Sequence, residues 1–242
     1  MSLKFHSHPL SSFGQKAVIA LYENDTPFEF CLVDLSNEKG RAEFLALWPL
    51  GKMPVLQDDA RGRTIPETSI IIEYLAQHYP GKQILVPTDP EAALQVRLWD
   101  RFHDLYVAQP MQRIVEERLR PADGKDPHGL AAAKTGLGKA YDILEREMGR
   151  KTWAAGESFT MADCAAAPAL FYANEVQPFG DSHRNLARYF ERLMARPSFA
   201  RAVEEAKPFW RFFPTESGGA TRTRPSFRGY RETRGLRDDT PG

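Results

Sequence analysis

The stretch LKFHSHPLSSFGQKAVIALYENDTPFEFCLVDL, residues 3–35, decides the fold class. LKFH at 3–6 and FEFCLVDL at 28–35 are rich in β-prone residues and predict two strands. Between them, apolar residues from 13 to 23 follow a helical pattern and predict a helix. A strand, a helix and a second strand in this order are typical of a parallel or mixed sheet covered by helices.

The pattern continues outward from this unit and then changes. A short helix at 41–48, strands in PVLQD (54–58) and RTIP (63–66), and a strong helix at 69–79 give the order βαβαββα. From residue 91 onward only helical spacing recurs. We therefore predict an α/β domain over 1–80, a linker over 81–90, an all-α domain over 91–213 and a flexible tail over 214–242.

Composition excludes several classes of function. Among 242 residues, 32 basic side chains balance 32 acidic ones, so no basic excess favours nucleic acid or an anionic membrane. The N-terminus lacks the apolar run of a signal peptide, and no stretch suits a membrane span, which predicts a cytoplasmic protein. Cys31 and Cys164 lie in apolar surroundings and are expected to be buried thiols without a disulfide.

The last segment, residues 215–242, contains six arginines, four acidic residues and no lysine in a Gly-rich context. The composition favours a solvated tail with little to bury. The alternative is a basic arm that contacts a partner or an anionic ligand.

Two serines lie where the first strand runs into the first helix. Free backbone N–H groups and the helix dipole stabilise an anion at such a position. A hydroxyl of Ser11 or Ser12 could therefore donate to a thiolate. The alternative is that one of these serines only caps the helix, which is the commonest role of serine there.

Two further dipeptides belong to the same domain. Met53-Pro54 leads directly into a strand and is a candidate cis bond, although most X–Pro bonds are trans. Glu67 and Thr68 stand at the start of an apolar helix, with Thr68 as the expected N-cap. A carboxylate could accept from Thr68 and the first-turn N–H groups while Glu67 pairs with an ammonium; a plain cap beside an acid is the alternative.

Four segments together carry a family resemblance: SSFGQKAVIALYE (11–23), GKMPVL (51–56), ETSIIIEYL (67–75) and ESFTMADCAAAPAL (157–170). Through them the chain resembles a cytosolic glutathione transferase over residues 1 to about 213. The resemblance implies a thioredoxin-like first domain, an all-helical second domain, a homodimer and a glutathione site on the first domain. Glutathione is then the substrate or cofactor, and no metal is expected.

The resemblance implies that a serine hydroxyl contacts the sulfur of glutathione. Ser11 matches the serine of the classes that carry Ser-Pro-Phe or Ser-Ser-Cys before the first helix, and Ser12 is the nearest competitor. The loop continues with Phe13 and contains no cysteine, which disfavours thiol-transferase chemistry through a mixed disulfide. No tyrosine lies near the first strand, so the tyrosine-dependent classes match poorly.

The resemblance also distributes the glutathione contacts. The backbone of Met53, before the cis residue Pro54, would pair with the cysteinyl part. Glu67 and Thr68 would hold the γ-glutamyl end, although the family usually shows Glu-Ser there. The glycyl carboxylate would face Lys39 and Lys52, which lie on either side of the short second helix. The alternative is that these lysines are solvated and unpaired, as most lysines are.

The second substrate is expected to be a small apolar electrophile in a pocket between the domains, undergoing conjugation, isomerisation or dehalogenation. Its candidate wall residues are Phe13, Phe102, Tyr106 and Met111, each of which could instead belong to the domain-interface core. The aromatic residues at 210, 212 and 213 could close over the site or only pack the C-terminus.

Two remaining features are not catalytic candidates. Thr160 and Asp163 form a capping-box pattern, so Asp163 is expected to be structural. His6 and His8 share a strand face, but two ligands do not make a metal site. An alternative function for the whole chain is a non-catalytic binding module that uses the same fold, with the arginine-bearing tail as its contact arm.

Overall fold

The computed structural model describes residues 2–214. The first domain contains a four-stranded sheet built from β1 (Leu3–Ser7), β2 (Glu29–Leu32), β3 (Val55–Asp58) and β4 (Arg63–Pro66). The strand order is β2-β1-β3-β4. β1 runs parallel to β2 and antiparallel to β3, and β3 pairs antiparallel with β4. The predicted order βαβαββα and a mixed α/β first domain are therefore confirmed.

Three helices cover this sheet, α1 (Ser12–Glu23), α2 (Glu38–Leu47) and α3 (Thr68–His78). α1 and α3 bury apolar side chains in one large core with Phe5 and Leu56 of the sheet. α2 belongs to a separate small cluster, in which Phe44 packs with Val55. α2 begins three residues before the predicted start because the Asn37 side chain accepts from the Gly40 N–H at 2.6 Å and caps the helix there.

The second domain contains only helices among the residues described. They are α4 (Pro90–Phe102), α5 (Gln109–Leu119), α6 (Pro127–Met148), α7 (Met161–Val176), α8 (Arg184–Met194) and α9 (Pro197–Ala206). A π-helical turn, His103–Ala108, joins α4 to α5, and the Gln109 N–H bonds to the Asp104 carbonyl across it. Within residues 2–214 no helix combines the length and apolarity needed to cross a bilayer.

The start of α7 is fixed by a buried carboxylate. The Asp163 side chain accepts from the Thr160 N–H at 2.9 Å and completes the capping box with Thr160. It also accepts from the Ala154 N–H at 2.8 Å and the Tyr189 hydroxyl at 2.7 Å. Burial nevertheless raises the pKa of Asp163 to about 6, against the effect of these hydrogen bonds. The predicted capping box is confirmed.

The two domains share one continuous core and several polar contacts. Arg196 of the second domain forms a two-point ion pair with Glu23 at the end of α1, at 2.8 and 2.6 Å. The Gln15 amide of α1 donates to the Tyr172 hydroxyl of α7 at 3.1 Å. These contacts hold α1 against the helical domain.

Three expectations need correction or completion. Cys164 is buried, but Cys31 is partly exposed, because β2 is an edge strand and most of its residues face outward. The rings of Trp210 and Phe213 pack on Tyr172, with centroids 5.7 and 5.6 Å away, whereas Phe212 is exposed. The tail prediction lies outside the described residues, apart from Pro214.

We predict that His103, in the π-helical turn, makes the stability of the folded protein sensitive to acid. The ring is fully buried, its Nδ1 lies 2.7 Å from the Trp99 carbonyl, and burial lowers its pKa to about 4. The folded pKa is below the ordinary value of about 6.5, so the unfolded chain takes up a proton first as pH falls. The free energy of unfolding should therefore be highest above pH 6.5 and fall by up to about 3 kcal/mol towards pH 4.

Chemical denaturation between these pH values tests this contribution. His103→Gln should flatten the profile relative to the wild type, because glutamine does not titrate. His128→Gln, at an exposed position, is the matched control and should leave the profile unchanged. Equal pH slopes for wild type and His103→Gln would contradict the prediction.

Candidate active site

A cleft of about 710 Å³ lies between the two domains and collects most of the predicted glutathione contacts. From the first domain it is lined by Phe13, Lys52, Met53, Pro54, Glu67 and Thr68. From the second domain it is lined by residues of α4, the π-helical turn and α5, and by Met161 at the start of α7. Residues that are up to 60 positions apart in the first domain, Phe13 and Glu73, thus meet at one site.

The start of α3 forms one end of the cleft. Glu67 occupies the N-cap position with φ 67°, a left-handed conformation that is uncommon for a residue with a side chain. Thr68 is the first residue of the helix and is buried. The expectation that Thr68 is the N-cap is therefore wrong by one residue, because the backbone turns at Glu67. The first N–H groups of α3 remain outside its helical hydrogen bonding and suit an anion.

The peptide bond between Met53 and Pro54 is cis, and both residues line the cleft. Lys52 lines it as well, immediately before them. Lys39 does not line the cleft. It lies on α2 with an 86% exposed side chain, and its Nζ is 3.8 Å from Glu43 Oε1. Of the two predicted lysines, only Lys52 is at the site.

The two candidate serines stand at the beginning of α1. Ser11 is the N-cap, and its Oγ accepts from the Gly14 N–H at 3.0 Å. Ser12 is the first residue of the helix. Neither contributes to the lining of the cleft as described, whereas Phe13, the next residue, does. The capping role of Ser11 uses its oxygen as an acceptor and leaves its hydroxyl proton available.

A buried charged cluster lies behind the start of α3. Lys16 of α1 is 1% exposed, and its Nζ lies 2.7 Å from Asp100 Oδ1 and 2.8 Å from Asp104 Oδ2. The same Nζ donates to Ser69 Oγ at 2.9 Å, and Ser69 donates to Asp100 Oδ2 at 2.6 Å. Arg101 reaches Asp104 at 3.3 Å from the more exposed side. The cluster joins α1 and α3 of the first domain to α4 and the π-helical turn of the second.

Burial raises the pKa of Asp104, and the charge of Lys16 opposes that shift. Sequence reasoning missed this cluster, although the sequence contains two signals. Lys16 stands on the same helical face as the apolar residues Ile19 and Ala20, and Asp100 and Asp104 are spaced by four. A charge on an apolar face next to paired acids on another helix indicates a buried ion pair.

Only one of the four residues predicted to form the electrophile pocket lines the cleft. Phe13 lines the cleft. Met111 is buried in the core at 2% exposure, while Tyr106 is 57% exposed and stacks near Phe102 at 5.3 Å. Phe102, Tyr106 and Met111 do not line the cleft. Met111 belongs to the hydrophobic core and Phe102 packs against it, which is the alternative that the sequence left open for these residues.

The residues that do form the second-domain wall are mostly polar. Leu105 is followed by Gln109, Gln112, Arg113 and Glu116, which recur every three or four residues along α5. Sequence reasoning missed them because it looked only for apolar side chains. The polar spacing was present in the sequence, but nothing in it indicated that this face borders the cleft.

The geometry of the cleft agrees with comparisons to known proteins. Residues 5–83 match the family described as glutathione S-transferase, N-terminal domain, and residues 107–197 match glutathione S-transferase, C-terminal domain. Glutathione S-transferase 3 of Zea mays is 31% identical over 210 residues, which cover 83% of this chain and 93% of that protein. The chain belongs to the cytosolic glutathione S-transferase family.

Solved structures give the same result. A glutathione S-transferase from Methylobacterium radiotolerans, in complex with glutathione sulfonate, is 30% identical with a TM-score of 0.71 and covers 83% of this chain and 94% of that one. A glutathione S-transferase from Methylobacillus flagellatus, with GSH bound, is 26% identical with a TM-score of 0.75 and covers 83% and 98%. The two-domain transferase fold is thus shared across these proteins.

We predict that Lys16→Met strongly destabilises the protein. Methionine fills a similar volume but leaves Asp100 and Asp104 buried without their cation, and breaking a buried pair in this way costs about 3–5 kcal/mol. Urea denaturation measures the loss. Lys82→Met, at an 89% exposed side chain, is the matched control and should change stability by less than about 0.5 kcal/mol. A decrease of less than about 1 kcal/mol in the free energy of unfolding of Lys16→Met would contradict the prediction. It would show that water or a side-chain shift stabilises the two carboxylates in place of the lysine.

Proposed function

We propose that this chain is a glutathione transferase enzyme that activates the thiol of glutathione as a thiolate for attack on a small electrophile. The observation that carries the proposal is the meeting of Met53, Pro54, Glu67 and Thr68 in one interdomain cleft, which Phe13, two residues after Ser11, also lines. Family membership supports the same chemistry.

Each part of glutathione has a matching position in the cleft. The γ-glutamyl end would lie at the start of α3, where first-turn N–H groups and Thr68 receive its carboxylate and Glu67 pairs with its ammonium. The backbone of Met53 would pair with the cysteinyl part. Lys52 would face the glycyl carboxylate, and Lys39 has no part in this arrangement because it lies outside the cleft.

The thiolate requires a specific amount of stabilisation. Lowering a thiol pKa from about 8.5 by roughly two units needs about 2.7 kcal/mol of preferential binding of the anion. One hydroxyl donated to a charged acceptor supplies roughly 1.5–3 kcal/mol, and a helix N-terminus adds about 0.3–1 kcal/mol. A serine hydroxyl at the beginning of α1 provides both contributions together.

Ser11 is the favoured donor. Its Oγ already accepts from the Gly14 N–H at 3.0 Å, which fixes the side chain while the hydroxyl proton stays free to donate. Ser12, one residue further, is the competing donor. The enzyme then gains rate by holding the electrophile next to the thiolate in the same cleft, away from most of the solvent.

We predict that Ser11→Ala raises the pKa of the bound glutathione thiol by about 1–2 units and leaves glutathione affinity nearly unchanged. At about pH 6.5 the kcat/KM should fall by about 10–100-fold, because less of the thiol is ionised. The ultraviolet absorbance of the bound thiolate, followed against pH, measures the pKa directly. Ser12→Ala should leave both quantities close to those of the wild type.

Removal of Ser11 also removes a helix cap, so the control must lose only a cap. Asp126→Ala is suitable because Asp126 caps α6 and accepts from the Gly129 N–H at 2.8 Å, as Ser11 does from Gly14. Both caps are worth about 1 kcal/mol. If Ser11→Ala and Ser12→Ala both retain full turnover at low pH, the assignment of the donor is wrong.

We also propose that the enzyme is a homodimer whose interface includes an outward apolar strip on α4. The strip consists of Leu94 and Leu98, which are each 55% exposed in the monomer and do not line the cleft. They are four residues apart and so lie on one face of the helix. Leucines at such spacing on an exposed face indicate a surface that another protein chain covers.

Leu98→Glu should therefore shift the protein from a dimer to a monomer of 27.4 kDa. A charge at the centre of an apolar interface is left without a partner when two copies meet. Light scattering after size-exclusion chromatography measures the mass. Leu119→Glu, at a similarly exposed leucine on α5, should leave the dimer intact. A monomeric wild type, or a dimer that survives Leu98→Glu, would reject this interface.

A further inference from the structure

The face of α5 that borders the cleft is polar along its whole length. Gln109, Gln112, Arg113 and Glu116 line the cleft at helical spacing. The apolar residues of the same helix, such as Met111 and Ile114, point the other way and are buried in the core. The cleft therefore has an apolar part at Phe13 and Leu105 and a hydrogen-bonding part at α5.

Arg113 differs from the other arginines of the cleft in its surroundings. Arg97 is paired with Glu73 at 2.8 Å, and Arg101 reaches Asp104 at 3.3 Å. The side chains of Arg113 and Gln109 make no hydrogen bond or ion pair with any residue between 2 and 214. Both side chains are exposed at the cleft and free to contact a ligand.

Glu116, the acidic residue on this face of α5, forms a hydrogen bond within the same helix. The Gln112 amide donates to Glu116 Oε1 at 3.4 Å, one turn further along α5. The guanidinium of Arg113 offers a planar pair of donors that matches a carboxylate, and charge-assisted bonds of this kind are the strong ones. The unpaired donors at this end of the cleft thus suit an anionic group with acceptor oxygens.

We propose that the electrophile taken by this enzyme carries a carboxylate, which Arg113 binds with help from Gln109, while its apolar body packs against Phe13 and Leu105. The inference rests on the proposed function and specifies its second substrate. It adds a carboxylate to the small apolar electrophile that the sequence analysis expects. Arg113 is a specificity-determining residue here and takes no part in the bond changes.

The chemistry is a displacement at carbon. The glutathione thiolate attacks the carbon that bears the leaving group, a carbon–sulfur bond forms, and the carbon–halogen bond breaks. The halide departs with the bonding electron pair, and the thiol proton has already passed to solvent. No oxidant or reductant is required, and the carboxylate remains unchanged at the far end of the molecule.

A matched pair of probes tests the proposal on the full chain with glutathione. 4-(Chloromethyl)benzoate and its methyl ester share the same reacting carbon and differ in the charge at the other end. After correction for the uncatalysed rates, the wild type should show at least about a tenfold higher kcat/KM for the acid. Arg113→Gln should lower kcat/KM for the acid by about 10–100-fold and leave the ester within about twofold.

Arg146→Gln is the control, since Arg146 is an exposed arginine on α6 that does not line the cleft. It should leave both rates unchanged. A wild type that prefers the ester, or an Arg113→Gln variant that loses acid and ester turnover equally, would overturn the inference while the transferase function stands. Calorimetry that detects no glutathione binding to the wild type would overturn the proposed function, and this inference with it.

Discussion

One buried cation holds the two domains of this protein in register. Lys16 is surrounded by Asp100, Asp104 and Ser69, with almost no access to water. Isolated charges are too costly to bury, so each of these groups requires the others in place. The beginning of α3, the middle of α1 and the end of α4 are therefore fixed relative to one another, and the cleft between them keeps its shape.

This constraint fixes the end of the cleft at which we propose that glutathione binds. Ser69, which Lys16 holds, follows Thr68 directly at the start of α3. The exposed N–H groups there and the left-handed turn at Glu67 stand on a helix that cannot shift without breaking the cluster. In the proposed function, the first domain thus recognises glutathione through backbone groups at Met53 and the start of α3 together with the side chains of Glu67, Thr68 and Lys52.

The opposite end of the cleft, at α5, is formed by side chains that do not belong to the buried cluster. Its wall is made by side chains of a single helix, α5, placed beyond a π-helical turn. Substitutions on that face change the chemistry of the wall without disturbing the core, because the buried residues of α5 lie on its opposite side. The residues that form this wall can therefore change without altering the fold.

The sequence by itself determined the order of elements, the capping box at Asp163, and the local pairs Met53-Pro54 and Glu67-Thr68. These features depend on neighbouring residues, and periodicity and turn chemistry are local properties of the chain. The same approach missed Lys16 and left open whether Met111 lines the cleft or packs in the core, since the burial of a charge and the packing of a helix face depend on distant contacts. Only the tertiary structure decided which helix faces meet at the cleft, because contacts between domains join residues whose sequence separation carries no periodic signal.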